Sequence, residues 1–322
     1  MNLPRIKFAH LPTPIEAMPR LSDHLNGPQI FVKRDDQTGL GMGGNKTRKL
    51  EFVLAQALEA GARTLITVGG IQSNHCRQTA ALAAKFGFKC ILVLSGEEPK
   101  SANGNLLLDD LFGASVVWTT RDEREDTLKE VFQQSDARGE DPFLIPLGAS
   151  TAVGALGFVE AMRELSSQGQ VFDWIIMASS SAGTQAGMVL GAVLTHWNGR
   201  ILAISIDHSV EDLQLTVSTL ANETAVLLGD ETRFSPGQIL VNADYLGGGY
   251  AVAGHAEVEA IKLFGKLEGL LLDPVYTGRA AAGMIDLIKK GFFKKTDRVL
   301  FWHTGGAPAL FAPPYSQLLH TK

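Results

Sequence analysis

Short apolar runs alternate with longer helical patterns through most of this chain. Thr64-Leu65-Ile66-Thr67-Val68 reads as a buried strand, and Gly69-Gly70 then leads into an alanine-rich helix from about Ser73 to Lys85. Lys89 to Leu94 is a second strand. A helix near Asn105 to Phe112, a strand at Ser115 to Thr119, a charged helix at Glu123 to Ala137 and a short strand at Phe143 to Ile145 follow. The alternation restarts after Gly148 with a helix at Val153 to Leu165, a strand at Trp174 to Ala178, a helix at Gln185 to Trp197 and a strand at Ile201 to Ile206. Helices fill Val210 to Leu228, His255 to Leu267 and Arg279 to Lys289, and Arg298 to His303 is the last strand. The first 48 residues hold little regular structure beyond Ile30 to Lys33 and are expected to pack onto the second sheet. Short apolar strands alternating with helices predict an α/β fold with two open, mostly parallel sheets flanked by helices. There is no internal repeat and no low-complexity linker.

One further helix, Thr47 to Ala60, has a predicted core face of Leu50, Val53, Leu54, Ala57 and Leu58. Its approach is rich in glycine. Gly39-Leu40-Gly41-Met42-Gly43-Gly44 formally matches G-x-G-x-x-G, but a dinucleotide fingerprint needs a buried strand just before it, and Lys33 to Thr38 is too charged. A P-loop needs lysine directly after the last glycine, and here Asn45 intervenes before Lys46-Thr47. Lys46 is then either a solvated lysine at a helix start or a reactive amine. A helix N-terminus disfavours a cation, and Lys46, Arg48 and Lys49 together should repel and lower an amine's pKa, favouring the neutral form that makes Schiff bases.

Composition narrows the field. The chain has 322 residues, 45% hydrophobic and 20% charged, with a net charge of -5, so nucleic acid is not its main partner. Two cysteines, Cys76 and Cys90, exclude a disulfide framework and a multi-cysteine zinc site, and the eight histidines show no zinc-ligand spacing, so no metal is expected. Met1 to Lys7 lacks the apolar core of a signal peptide. The longest apolar run, Met188 to Leu194, is broken by Gly191 and reads as a buried helix, not a membrane span. The expectation is a cytoplasmic protein.

Four other segments stand out, three of them where strands end. Gly70-Ile71-Gln72-Ser73-Asn74-His75 opens a helix whose free N–H groups suit a carboxylate. Simple capping accounts for one polar residue there, not four. Ser179-Ser180-Ser181-Ala182-Gly183-Thr184 is either a phosphate cup or a plain small-residue turn. Asp273-Pro274-Val275-Tyr276-Thr277 carries a tyrosine that could be merely packed, and in His303-Thr304-Gly305-Gly306 the threonine could be an ordinary strand-end residue.

Together, Gly43 to Glu51, Ile71 to Asn74, Asp273 to Tyr276 and His303 to Gly306 resemble the D-cysteine desulfhydrase and 1-aminocyclopropane-1-carboxylate (ACC) deaminase family, which has the tryptophan-synthase β-subunit type of pyridoxal-phosphate (PLP) fold. The resemblance runs from about Leu11 to Phe311. It implies a large PLP-binding domain of residues 1–48 plus 156–322, a small domain of residues 49–155, and a homodimer. It also implies that Lys46 carries PLP on its amine, that Lys49 and Ser181, Ala182, Gly183 and Thr184 bind the phosphate, that Asn74 reaches the phenolic oxygen, and that Thr304 faces the ring nitrogen. Ser73, Asn74 and His75 would take the substrate carboxylate, and Tyr276 and Thr277 would contact the substrate. Lys46, Ser73 and Tyr276 are the catalytic candidates. Ser180 stands where close relatives have glycine.

ACC deaminases resemble one another in having glutamate after the tyrosine and leucine before the final glycine pair. This chain has Thr277 and Thr304, as D-cysteine desulfhydrases do. The implied reaction is α,β-elimination of D-cysteine to pyruvate, ammonia and hydrogen sulfide, with Lys46 as base once displaced from the cofactor. A threonine hydroxyl cannot hold the ring nitrogen protonated as a carboxylate would, which favours a short-lived carbanion over transamination. L-cysteate sulfo-lyase and ACC deaminase activities are the alternatives within the family. A nucleotide-binding kinase or dehydrogenase and a PLP carrier are the alternatives outside it.

Overall fold

In the computed structural model, residues 3–320 are described, so Met1 and Asn2 of the N-terminal segment lie outside the described residues. Among the described residues, ten strands form two sheets. They are β1 (Ile15–Ala17), β2 (Gln29–Arg34), β3 (Thr64–Gly70), β4 (Lys89–Ser95), β5 (Ser115–Thr119), β6 (Pro142–Ile145), β7 (Trp174–Ser179), β8 (Arg200–Ser205), β9 (Leu240–Asn242) and β10 (Arg298–His303). The six-stranded sheet runs β1-β2-β10-β7-β8-β9, and the four-stranded sheet runs β5-β4-β3-β6. Only β1 pairs antiparallel, with Ile15 opposite Lys33; every other pairing is parallel. The first residues join the six-stranded sheet as expected, because β2 pairs along its full length with β10, from Gln29 opposite Arg298 to Arg34 opposite His303.

Both faces of both sheets are covered. On one face of the large sheet, Ile30, Ile176, Ile204 and Phe301 pack with Phe264, Met284 and Ile288 of the helices His255–Glu268 and Thr277–Lys289. On the other, Ile175, Met177 and Leu300 meet Phe158 and Met162 of helix Ala152–Ser167 and Met188 of helix Gly183–Leu194. This is why β7 and β10 read as unbroken apolar runs.

Among the short elements that escaped the pattern are β1, helix Pro19–Leu25 and β9. The two strands have three residues each, too few for an alternation to register. The helix starts on a proline, whose missing N–H does no harm in a first turn.

Helix Lys46–Glu59 sits between the two sheets. Leu50, Val53, Leu54 and Ala57 enter the core of the four-stranded sheet, whereas Leu58, expected on that face, is 48% exposed. Its opposite side is polar and buried. Arg48 is 1% exposed and is gripped by Asp35 through two 2.8 Å hydrogen bonds, from Nε to Oδ2 and from Nη2 to Oδ1. Arg48 Nη1 also donates to Glu164 Oε2 at 2.8 Å, and Glu164 pairs in turn with Lys33. Trp302 Nε1 donates to Asp35 Oδ2 at 2.8 Å and Thr13 Oγ1 to Asp35 Oδ1 at 3.0 Å. Burial pushes the Glu164 carboxyl up, but Arg48 and Lys33 outweigh it and hold the group at about 2. On the same helix, buried Glu51 accepts from Phe8 N, Ala9 N and Arg5 Nε at 2.7 Å each and ties down the N-terminal segment.

Removing Arg48 would leave buried Asp35 without a cation beside it and Glu164 with Lys33 alone. Arg48→Met is expected to destabilise the fold by about 3–5 kcal/mol, read as a lower urea midpoint. Glu164 has a depressed folded pKa, so the stability it lends is full above the ordinary value of 4.5 and is lost as pH falls toward about 2. Glu164→Gln should flatten the loss of stability with acid in that window.

Candidate active site

The carboxyl ends of the strands face one cavity of about 960 Å³, where open α/β sheets bind ligands. Gly70 to His75 enter it after β3, Ser95 to Glu97 after β4, Ser179 to Ala182 and Thr184 after β7, Asp207 after β8, and Thr304 after β10. Lys46 lines it at the first position of its helix. Neighbouring Asn45 fixes that start, donating its backbone N–H to Thr304 O at 3.0 Å and Nδ2 to Thr184 Oγ1 at 3.0 Å. Lys46 Nζ lies 3.1 Å from Asn45 Oδ1.

Burial brings the Lys46 amine down to about 8; the nearby Asp273 carboxylate opposes this and the Arg77 guanidinium adds to it. The expected mutual repulsion within Lys46-Thr47-Arg48-Lys49 is thus only partly what operates. Arg48 faces away into its two carboxylates, and the cation that acts on Lys46 comes from another helix. Lys49 does sit close, and burial and then Lys46 lower its amine well below the ordinary range.

Ser73 caps helix Asn74–Phe86, its Oγ accepting from Cys76 N at 3.2 Å. Asn74 Oδ1 accepts from Asn105 Nδ2 at 2.9 Å. His75 turns inward, with Nε2 2.8 Å from Thr67 Oγ1. The Thr67 hydroxyl already donates to Ile145 O at 2.7 Å, so the imidazole supplies the hydrogen between them. Burial, then Lys46 and Lys49, push its pKa well down, and His75 is neutral.

The turn after β7 is shaped for an anion. Helix Gly183–Leu194 starts after Ala182 with no side-chain cap, and its first N–H groups suit negative charge. Buried Ser179 Oγ has no hydrogen-bond partner. Behind the turn, Lys49 Nζ donates to Gly148 O and Ser150 Oγ at 3.1 Å each, and Ser150 Oγ donates to Ser181 Oγ at 2.9 Å. A Cβ on Gly183 would lie 2.8 Å from Lys49 Nζ, so glycine permits this approach. An uncapped helix start, an orphaned hydroxyl, a buried lysine and a second lysine held near neutrality fit a phosphorylated aldehyde such as PLP.

Opposite lies a tyrosine pair. The Tyr250 and Tyr276 hydroxyls share a 2.8 Å hydrogen bond, and burial, then Tyr250, raise the Tyr276 pKa well above its ordinary value. Thr277 is not brought to the cavity. Its hydroxyl donates to Asp273 Oδ1 and accepts from Asp273 N, both at 2.7 Å. Asp273 also takes the N–H groups of Val275, Tyr276 and Thr277, and so starts helix Thr277–Lys289 two residues before the expected Arg279. Lys49 and Gly183 likewise lie behind the lining residues, whereas Ser73, Asn74, His75, Ser181, Ala182, Thr184, Tyr276 and Thr304 line it.

Comparison with known proteins agrees with this geometry. The family described as "Pyridoxal-phosphate dependent enzyme" matches residues 6–305. The chain belongs to that family. PLP is therefore its cofactor, and the reading of Gly39 to Gly44 as a nucleotide loop falls away. A D-cysteine desulfhydrase of Klebsiella pneumoniae (strain 342) is 45% identical over 320 residues, covering 97% of this chain and 96% of that protein. The crystal structure of an ACC deaminase homologue superposes with a TM-score of 0.90 at 36% identity, over 98% of this chain and 96% of that one. A PLP-dependent aspartate racemase shares the fold alone, at TM-score 0.69 and 16% identity over 91% of this chain and 90% of that one. Among the described residues, no helix is long and apolar enough to cross a membrane.

Sequence reasoning missed Asn45, Ser150, Tyr250 and Asn105. Tyr250 follows three glycines in an aperiodic stretch and gave no signal. Asp273 could have been found, since an acid just ahead of a helix is a capping signature. Thr277→Val should remove both contacts to buried Asp273. The expected loss is about 1–3 kcal/mol in denaturant-measured stability, with the tyrosine pair otherwise undisturbed.

Proposed function

We propose that this enzyme eliminates sulfide from D-cysteine, giving pyruvate, ammonia and hydrogen sulfide. What carries the reaction type is the buried Lys46 amine, brought down to about 8 on the cavity wall with Ser73, Asn74 and Tyr276. What carries the substrate is the full-length 45% identity to a D-cysteine desulfhydrase, with Thr304 at the cavity in keeping.

In this reading Lys46 holds PLP through its amine. The turn from Ser181 through Ala182 and Gly183 to Thr184 takes the phosphate, with Lys49 behind it. Asn74 holds the phenolic oxygen, and Thr304 faces the ring nitrogen. The cofactor, when bound, supplies an electron sink for charge released at the substrate's α-carbon. The substrate carboxylate meets the N-terminus of helix Asn74–Phe86 at Ser73 and Asn74, with neutral His75 supporting that turn from below. Lys46, once free, takes the α-proton, which a neutral amine does and an ammonium does not. Tyr276 keeps its proton at neutral pH and gives it to the departing sulfur, while Tyr250 at 2.8 Å can restore it. Residues 1–48 with 156–322 form the cofactor domain, and residues 49–155 form the small domain that carries Ser73. Two copies work as a homodimer in the cytosol, where the buried free thiols of Cys76 and Cys90 stay reduced.

Purified protein should absorb in the visible, and Lys46→Ala should lose that band. A parallel assay should show pyruvate from D-cysteine faster than from β-chloro-D-alanine or L-cysteate, and faster than α-ketobutyrate from ACC. Rapid turnover of ACC with none of D-cysteine overturns the substrate assignment. Uptake of PLP by the cofactor-free protein needs the neutral amine, so its rate should rise about tenfold per pH unit and level off above pH 8. An ordinary lysine would keep climbing to 10.5.

A further inference from the structure

The glycine loop that delivers Lys46 has few side chains of its own with which to hold its course. Gly43 and Gly44 adopt φ of +69° and +129°, conformations open to glycine. Thr38 Oγ1 accepts from Gly44 N and donates to Gly44 O at 2.8 Å each, and further holding groups come from helix Asn74–Phe86. Arg77, 0% exposed, donates Nη1 to Gly41 O at 2.7 Å and Nη2 to Gly43 O at 2.9 Å. Adjacent Gln78 accepts through Oε1 from both Thr47 N and Thr47 Oγ1 at 2.8 Å. One helix thus grips the chain on either side of Lys46. The guanidinium is not paired with a carboxylate. Its Nε has no partner, and neither do the two carboxyl oxygens of buried Asp109, the nearby acid on helix Gly104–Leu111.

We propose that Arg77 is a positioning residue for Lys46: its rigid fork sets the path of the glycine loop and with it the place of the amine, while its unpaired charge faces that amine. The assignment rests on the reading of Lys46 as the PLP lysine. The electrostatics run the same way. Burial pushes the Asp109 carboxyl up to about 8, so at neutral pH it leaves Arg77 uncompensated, and Arg77, brought down by burial to about 10, keeps its charge. Other groups face Lys46 from each element around it. Asp273 precedes helix Thr277–Lys289, His75 shares Arg77's helix, and Lys49 shares Lys46's own. Of these, burial leaves His75 and Lys49 with much reduced charge, and only Asp273 opposes Arg77.

Trace acetylation of the cofactor-free protein across pH, read by mass spectrometry on the Lys46 peptide, gives the titration of this amine directly. PLP affinity is measured alongside. Arg77→Met should shift the Lys46 midpoint upward toward the ordinary lysine range and weaken PLP binding. Arg77→Lys should keep the midpoint but weaken PLP by about tenfold, because an ammonium cannot span two carbonyls. A Lys46 titration in Arg77→Met superimposable on that of the parent, or full PLP affinity in Arg77→Lys, overturns the proposal. If Arg77→Met does not fold, Arg77→Lys carries the test alone. Borohydride reduction of the loaded protein reports separately. PLP fixed to a lysine other than Lys46 overturns the reading beneath the proposal, on a different peptide from the titration.

Discussion

A guanidinium buried between two carboxylates decides where everything else in this active site can be. Arg48 is held by Asp35 from the turn after β2 and by Glu164 from helix Ala152–Ser167, with Trp302 of β10 closing on the same Asp35. Successive residues of a helix are about 100° apart. Once Arg48 is locked toward the large sheet, Lys46, two residues back, is turned well away from it, toward the cavity. Lys49, one turn beyond Lys46, follows it to the rear of the turn after β7. Leu50, Val53, Leu54 and Ala57 are left for the small sheet. One rotation of one helix satisfies a salt-bridge network, a hydrophobic core and a reactive amine together.

That arrangement concentrates basic groups where water is scarce. Lys46, Lys49, His75 and Arg77 are all driven toward their neutral forms by burial, and the Arg77 guanidinium, at about 10, keeps its charge. Asp273 is the carboxylate that answers them, and four donors of the following turn hold it in place. The result is a cavity wall with uncapped helix starts and basic groups on one side and hydroxyls on the other. It suits a ligand that brings its own phosphate and carboxylate charges.

Much of this was legible in advance, and the exceptions have physical reasons. The sheets declared themselves because parallel strands buried on both faces are largely apolar, as Thr64 to Val68 and Trp174 to Ala178 are. The site declared itself at strand ends, where small and polar residues interrupt an apolar pattern. The environment of each charge was not legible. Lys46, Arg48 and Lys49 look alike along the chain, yet one lines the cavity, one is sealed in an ion network and one supports a turn from behind. Leu58 fits the helical period, but in the last turn of its helix it stays exposed. Long-range partners such as Arg77 for Gly41 and Gly43 leave no trace in local spacing.

Thr277 shows how a position can separate family branches without touching a ligand. Its hydroxyl and backbone N–H are both spent on Asp273, which in turn holds the N–H groups of Val275 and Tyr276. A glutamate here, as ACC deaminases have, would set a second carboxylate against a buried one. One of the two would have to take up a proton or turn toward the cavity. Either outcome alters the turn that carries Tyr276 and the charge that Lys46 feels. Residue 277 therefore bears on the turn that carries Tyr276 through Asp273, whereas Thr304 lines the cavity wall itself.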